Sequence, residues 1–360
     1  DPGWTGVDMF TYTVTDGTET DTATVTVTVT PHSDPMAVWR RNGQSTPFYS
    51  SWNGAGFDAE QISADIGEYR TMEGAESPTR DEAIVIGVTN ANQIVAEIWD
   101  GSTWTAHPSN ALSTVTDSFW WGFDVEYESA SGDAVIVYNN GTTGTAGLSY
   151  QVWNGSTWSG PSSITTPLAG EPKAMKLASH PYTDEMVLVV SNATSQDYAL
   201  VWNGSSWGNA QVLASDGTGN DRTDVFVAYE YQSGEALVAF SQGADTDVHY
   251  RIWTGFAWSD ELMQPTPGGA VGYPRWITLA SDPNSDQIAM GVLANGADVW
   301  LATWTGTAFA DTAVATTSAS GTNHPAVAIA FEGTSGHALA TYGEGVNTPR
   351  YRTWASGSGW

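Results

Sequence analysis

Four positions carry residue types suited to holding an anion. Arg70, Lys173, Arg222 and Arg275 stand at or beside the start of the same strand in four copies of an internal repeat, and Trp121 and His324 take that place in two others. Guanidinium forks pair with carboxylate or sulfate through parallel hydrogen bonds, and an ammonium binds as a point charge. The chain has 11 Lys+Arg against 40 Asp+Glu and a formal net charge of −29, so cations recurring at one place are a local departure. The chemistry to expect there is recognition of an acidic group on a glycan. The competing reading is that each cation pairs with a nearby carboxylate: Glu68, Glu171, Asp221 or Asp224.

A second constellation is aromatic. "EIWDGSTWTA", "QVWNGSTWSG", "LVWNGSSWGN" and "RIWTGFAWSD" each set two rings around a short turn. The first rings are Trp52, Trp99, Trp153, Trp202, Trp253, Trp304 and Trp354. Their partners are Phe57, Trp104, Trp158, Trp207, Trp258, Phe309 and, one residue late, Trp360. Rings five residues apart around a hairpin face each other, and such cross-strand pairs stabilise by roughly 0.2–1 kcal/mol. Stacking platforms for sugar rings are the functional reading. Packing is the stronger one, because packing is needed in every copy whereas a ligand platform can vary.

Other chemistries find little support. The six histidines show no metal-ligand spacing. There is no Gly-x-Ser-x-Gly elbow and no phosphate loop. No cofactor is implied. Calcium is the one candidate ion, at "HSDP" (32–35) and "SDPNSD" (281–286), although Asp/Asn turns form without metal. The acidic balance argues against nucleic acid and anionic membranes, which both need a basic surface. No cysteine is present, so there is no disulfide framework. No apolar run is long enough to span a bilayer.

The elements that position these residues follow from the period. The first rings recur at steps of 47 to 54 residues, and 12 of the 18 tryptophans belong to the set. That is the mark of a repeat architecture. Upstream of each Trp motif lies an apolar run, "EAIVIGV", "DAVIVYN", "EMVLVVS", "EALVAFS", "QIAMGVL" or "HALATYG". Such runs read as strands buried on both faces. A further strand precedes each, as in "WITLASDP", and the Trp motif supplies strands three and four. Asn-Gly, Asp-Gly and Thr-Gly favour the positive φ of a hairpin turn. The expected fold is all-β: a β-propeller of about seven four-stranded antiparallel blades over 35–360, with six blades as the alternative. The cations then surround one mouth of the central channel.

Residues 1–34 are set apart. "FTYTVTDG" followed by "TATVTVTVT" resembles the C-terminal half of a cadherin-like (immunoglobulin-like) repeat of large bacterial surface proteins. The segment is a partial neighbouring domain, or it joins the propeller. In the second case Thr24 to Thr30 supplies a first strand to the first blade, and residues 8–15 fill the last blade and close the ring. "DPGWTGVDMF" reads as the interior of a longer chain.

Residues 35–360 resemble the Trp-rich propeller repeats of large bacterial exported proteins. That resemblance implies an extracellular or cell-surface setting, bacterial or archaeal, and a non-catalytic module of a larger protein. Its expected work is adhesion, binding of glycans or surface proteins, or fibre assembly with copies of itself. A lectin for acidic glycans is one alternative. A sialidase-like glycosidase is another, because "WDGSTW" is similar to the core of the sialidase Asp-box. The box's leading Ser and the Arg-Ile-Pro signature are missing. Such an enzyme needs arginine, tyrosine and a carboxylate in one pocket.

Overall fold

Runs rich in Val, Ile, Leu and Ala, separated by Gly, Asn, Asp and Ser, dictate strands and tight turns. The computed structural model describes the chain outside residues 1–5, 16–19, 30–34, 116–120, 217–222, 320, 323 and 346–347, and within 6–29 it describes the backbone alone. All of its regular elements are strands.

β1 (Gly6–Thr15) and β2 (Thr20–Val29) form a sheet of their own. Seven further antiparallel sheets follow in chain order. Blade 1 joins β3 (Met36–Trp39), β4 (Phe48–Ser51) and β5 (Gln61–Ile62). Blade 2 has β6 (Tyr69–Glu76), β7 (Ala83–Thr89) and β8 (Gln93–Trp99), with β9 (Trp104–Ala106) and β10 (Ser113–Thr114) both paired to β8. Blade 3 has β11 (Phe123–Tyr127), β12 (Ala134–Asn139), β13 (Leu148–Trp153) and β14 (Ser162–Ile164). Blade 4 has β15 (Pro172–Ser179), β16 (Glu185–Asn192), β17 (Asp197–Asn203) and β18 (Trp207–Ala214). Blade 5 has β19 (Val225–Tyr229), β20 (Ala236–Phe240), β21 (Val248–Trp253) and β22 (Leu262–Gln264). Blade 6 has β23 (Pro274–Ser281), β24 (Ile288–Ala294), β25 (Val299–Trp304) and β26 (Phe309–Thr316). Blade 7 has β27 (Val327–Phe331), β28 (Ala338–Tyr342) and β29 (Arg350–Trp354).

The core is divided into layers, one between each pair of adjacent blades. Ile84, Ile86, Val125 and Tyr138 fill the seam between blades 2 and 3. Val137, Met175, Leu188 and Trp202 fill the next, and Val189, Val227 and Phe240 the one after it. β12, β20 and β24 are therefore buried at every position, as their unbroken apolar sequence requires. The first strands β6, β11, β15, β19, β23 and β27 pack against one another in chain order. The stack curves: the rings of Trp121 in blade 3 and Trp276 in blade 6 lie 5.9 Å apart. Two blades three steps apart can touch only across the axis of a ring. The all-β propeller of about seven blades is thus the observed architecture.

The N-terminal strands correct one expectation. β1 and β2 pair with each other in continuous register, from Gly6↔Val29 to Thr15↔Thr20. Among the described residues neither joins a blade sheet, and blades 1 and 7 have three strands each. Closing a hairpin over residues 16–19 costs little chain entropy, whereas pairing residues 8–15 with blade 7 would close a loop of most of the chain.

A second period lies over the first. Tyr49, Tyr150, Tyr250 and Tyr351 stand three residues before the first Trp in blades 1, 3, 5 and 7, where blades 2, 4 and 6 have Ala96, Ala199 and Leu301. Glu128, Glu230 and Glu332 directly follow the first strands of blades 3, 5 and 7. The repeating unit is a pair of blades.

Candidate functional site

The expected cationic mouth is partly assembled. Trp121 forms a parallel bridge to Ala174, and its carbonyl accepts from the Met175 N–H at 3.1 Å. Its ring meets Trp276 edge-on, with an interplanar angle of 81°. The Trp276 indole N–H donates to the Thr322 carbonyl at 3.1 Å, and Arg275 Nη1 donates to Thr322 Oγ1 at 2.8 Å. Three blades thereby place two indoles and a guanidinium side by side. His324 is exposed and lines a cavity of about 680 Å³ with Gly321, Pro325, Val327, Tyr342 and Pro349. Arg70 donates within its own blade to Asn90 Oδ1 at 3.4 Å and to the Asn90 carbonyl at 3.2 Å. Lys173, the second residue of β15, is half-buried. Arg222 and Asp221 lie outside the described residues.

Deeper on the axis is a cluster that the sequence reading passed over. Glu73 of β6, Asp124 and Glu126 of β11, Lys176 of β15 and Phe226 of β19 line one cavity of about 370 Å³. Lys176 Nζ lies 2.7 Å from Glu73 Oε1 and 5.7 Å from the Phe226 ring centroid. Asp124 Oδ2 accepts from the Leu177 N–H at 2.7 Å. Desolvation pushes the Asp124 carboxyl up, and pushes Glu126 up to about 8 with help from Asp124. Desolvation acts downward on Lys176, but Asp124 and Glu73 outweigh it and hold the ammonium above its ordinary value. Four blades are tied at one point. The signal was present: "FDVEY" carries acids at alternate positions of a first strand, and Glu73 and Lys176 take the place of Asp124 in the blades on either side.

The Trp hairpins are seams. Trp153 bridges Trp158, and their ring centroids lie 5.4 Å apart. Gly155 takes a φ of 84°, and Asn154 Oδ1 accepts from the Ser156 and Thr157 N–H groups. The first ring is buried in Trp202, Trp253, Trp304 and Trp354, while Trp99, Trp153 and the second rings Trp104, Trp158, Trp207 and Trp258 are half-buried. Each fully buried first indole is stitched to a carboxylate of the preceding blade. Trp202 donates to Glu128, Trp253 to Glu185, Trp304 to Glu230 and Trp354 to Asp311, at 2.5 to 3.0 Å. The tyrosines add to this: Tyr49, Tyr150 and Tyr250 pack on the aromatic pairs of blades 2, 4 and 6. These contacts join neighbouring blades into a curved stack.

Among the described residues arginine, tyrosine and a carboxylate do meet, at Glu82. Glu82 Oε1 accepts from Arg80 Nη2 at 2.9 Å and from the Tyr127 hydroxyl at 3.0 Å. Tyr127 is 2% exposed and Glu82 5%, and burial drives the phenol far above its ordinary range. The trio joins blades 2 and 3 and offers a substrate no access to the hydroxyl. The calcium expectation falls on residues committed elsewhere or outside the description. Asp282 accepts from the Asn284 N–H and the Ser285 hydroxyl, and Asp286 from the Gln232 and Ser233 N–H groups. Residues 32–34 are not described. Among the described residues, no group of three His, Cys, Asp or Glu is placed to hold a metal.

No family model and no curated protein matches the chain. Solved structures do. The BP39L lectin from Burkholderia pseudomallei superposes with a TM-score of 0.57 at 11% identity, over 91% of this chain and 97% of that one. The fungal lectin of Aleuria aurantia, described as a six-bladed β-propeller with a novel fucose recognition mode, gives 0.46 at 15% identity over 81% and 96%. AofleA from Arthrobotrys oligospora gives 0.45 at 10% identity over 87% and 91%. The likeness to the Burkholderia structure agrees with the strand pairing and the blade seams: the chain has the β-propeller fold.

Proposed function

We propose that this propeller is a non-catalytic glycan-binding module, displayed outside the cell as part of a larger surface protein and serving adhesion. The observation that carries the reading is the mouth, where the half-buried Trp121 rests edge-on against the buried Trp276, beside Arg275 and near the cavity that His324 lines. An indole face stacks on the apolar face of a sugar ring, and a guanidinium beside it suits a carboxylate or sulfate substituent. A cavity of about 680 Å³ is of the size that small ligands occupy. The printed description of the Burkholderia neighbour as a lectin agrees with this reading.

The test is a glycan array with the purified chain. Sialylated or sulfated glycans are retained, neutral counterparts are retained less, and Trp121→Ala or Arg275→Ala weakens retention about tenfold or more. Equal retention of acidic and neutral glycans, unchanged in both variants, would sink the proposal.

A further inference from the structure

Blade 7 carries, on the face turned away from blade 6, the residues that elsewhere receive the next blade. In blade 5 that face holds Leu237, 0% exposed, and Tyr250, 7% exposed, both covered by blade 6. Their counterparts in blade 7, Leu339 and Tyr351, are 45% and 70% exposed. Ala328, Ala330 and Thr341 on the same face are exposed as well. The polar part of the seam is also in place. Glu128 and Glu230 each accept a serine hydroxyl three residues on and the indole N–H of the following blade. Glu332 accepts the Ser335 hydroxyl in the same way, stands exposed, and holds no indole among the described residues.

At the other end of the stack stands a Trp hairpin with no preceding blade packed on it among the described residues. Trp52 is 37% exposed and Phe57 is 61% exposed. Their rings lie 5.2 Å apart at 71°, close to the 5.3 Å and 67° of the Trp304–Phe309 pair that packs on Tyr250. One chain therefore exposes both halves of a seam that it builds elsewhere within itself.

We infer that blade 7 of one copy receives blade 1 of a second copy, with the Trp52 hairpin on Tyr351 and its indole N–H donating to Glu332. The contact is heterologous, so repeating it gives a closed assembly or a filament of propellers. Copies with a net charge of −29 repel one another, so added salt strengthens the association.

Because the chain has no cysteine, introduced thiols report this contact cleanly. Ala55→Cys and Thr334→Cys are placed in separate copies, beside Trp52 and Glu332, mixed, and treated with a bis-maleimide. The expected product joins two copies, and sedimentation at high micromolar concentration and raised salt shows species larger than one chain. Tyr351→Ser and Glu332→Ala, both at exposed positions, weaken association about tenfold or more without loss of folding. A chain that stays monomeric under those conditions overturns the inference. So does a doubly substituted chain that links only to itself at high dilution, since blade 1 would then cover blade 7 within one molecule. Ala328 and Thr341 of this face also line the cavity beside His324, so the glycan array is run on dilute monomer; loss of glycan retention there tests the mouth, and loss of cross-linking between copies tests the seam.

Discussion

Blades 5 and 7 spell the same face with different outcomes. Tyr250 and Tyr351, Leu237 and Leu339, and Glu230 and Glu332 occupy matching positions. In blade 5 each is covered by blade 6, and Glu230 holds the Trp304 indole. In blade 7 the same residue types face water. A blade face is thus half of an interface, and its energetic worth depends on the neighbour that arrives.

The largest test of this comparison is removal of a ring from a covered seam and from the open end. Trp304→Ala, at a fully buried site, costs about 3–5 kcal/mol in denaturant unfolding, since it opens a cavity and orphans Glu230. Trp52→Ala, at a ring 37% exposed, costs far less in the isolated chain. Equal losses would mean that the ends are covered and the contrast is false.

The next test is pH dependence at the seam of blades 1 and 2. Glu97 accepts from the Ser63 hydroxyl and the Ala64 N–H, but desolvation dominates and lifts its carboxyl from 4.5 to about 7. Between those values the folded state holds a proton that the unfolded chain releases. Glu97 therefore contributes stability that is fully present below pH 4.5 and is lost as pH rises to about 7. The slope approaches about 1.4 kcal/mol per pH unit. Glu97→Gln flattens that part of the melting-temperature profile. An unchanged profile would show that water reaches the carboxylate and that blade 1 does not seal its seam.

A smaller effect is expected at the stitching carboxylates. Glu230→Ala leaves the Trp304 N–H buried without a partner and costs about 1–3 kcal/mol. Glu332→Ala, at the matching exposed site, stays within about 0.5 kcal/mol of the parent chain when monomeric. Loss at both sites in dilute solution would break the comparison. The smallest effect is local: Asn154→Ala removes the acceptor for the Ser156 and Thr157 N–H groups and costs about 0.5–1.5 kcal/mol.

Much of this was readable before any coordinates. The step near fifty residues, the apolar runs and the Gly turns are local features, and local features specify strands and hairpins. The pairing of Trp153 with Trp158 followed from a spacing of five around a turn. The mouth was legible only in part. Trp121 and Arg275 were singled out by their place in the repeat, but Trp276 and Thr322 were not, because their meeting depends on how sharply the stack curves. The Lys176 cluster was missed for a similar reason. Glu73, Asp124, Lys176 and Phe226 recur at steps of 51, 52 and 50 residues, so their shared place in the first strand was legible, but their types differ and only the curvature of the stack brings them to one cavity. The double period of Tyr49, Tyr150, Tyr250 and Tyr351 was legible, and was hidden by the stronger Trp signal.

By itself, then, the sequence determined the blade: strand, turn, strand, with a ring on either side of each outer turn, since these depend on alternation and φ preferences within a few residues. Only the tertiary structure decided what those rings do. Burial of Trp304 and exposure of Trp52 arise from the same motif, and the difference is whether a preceding blade supplies Glu230, Tyr250 and a dry seam. Burial belongs to pairs of surfaces, and a repeat names one surface at a time.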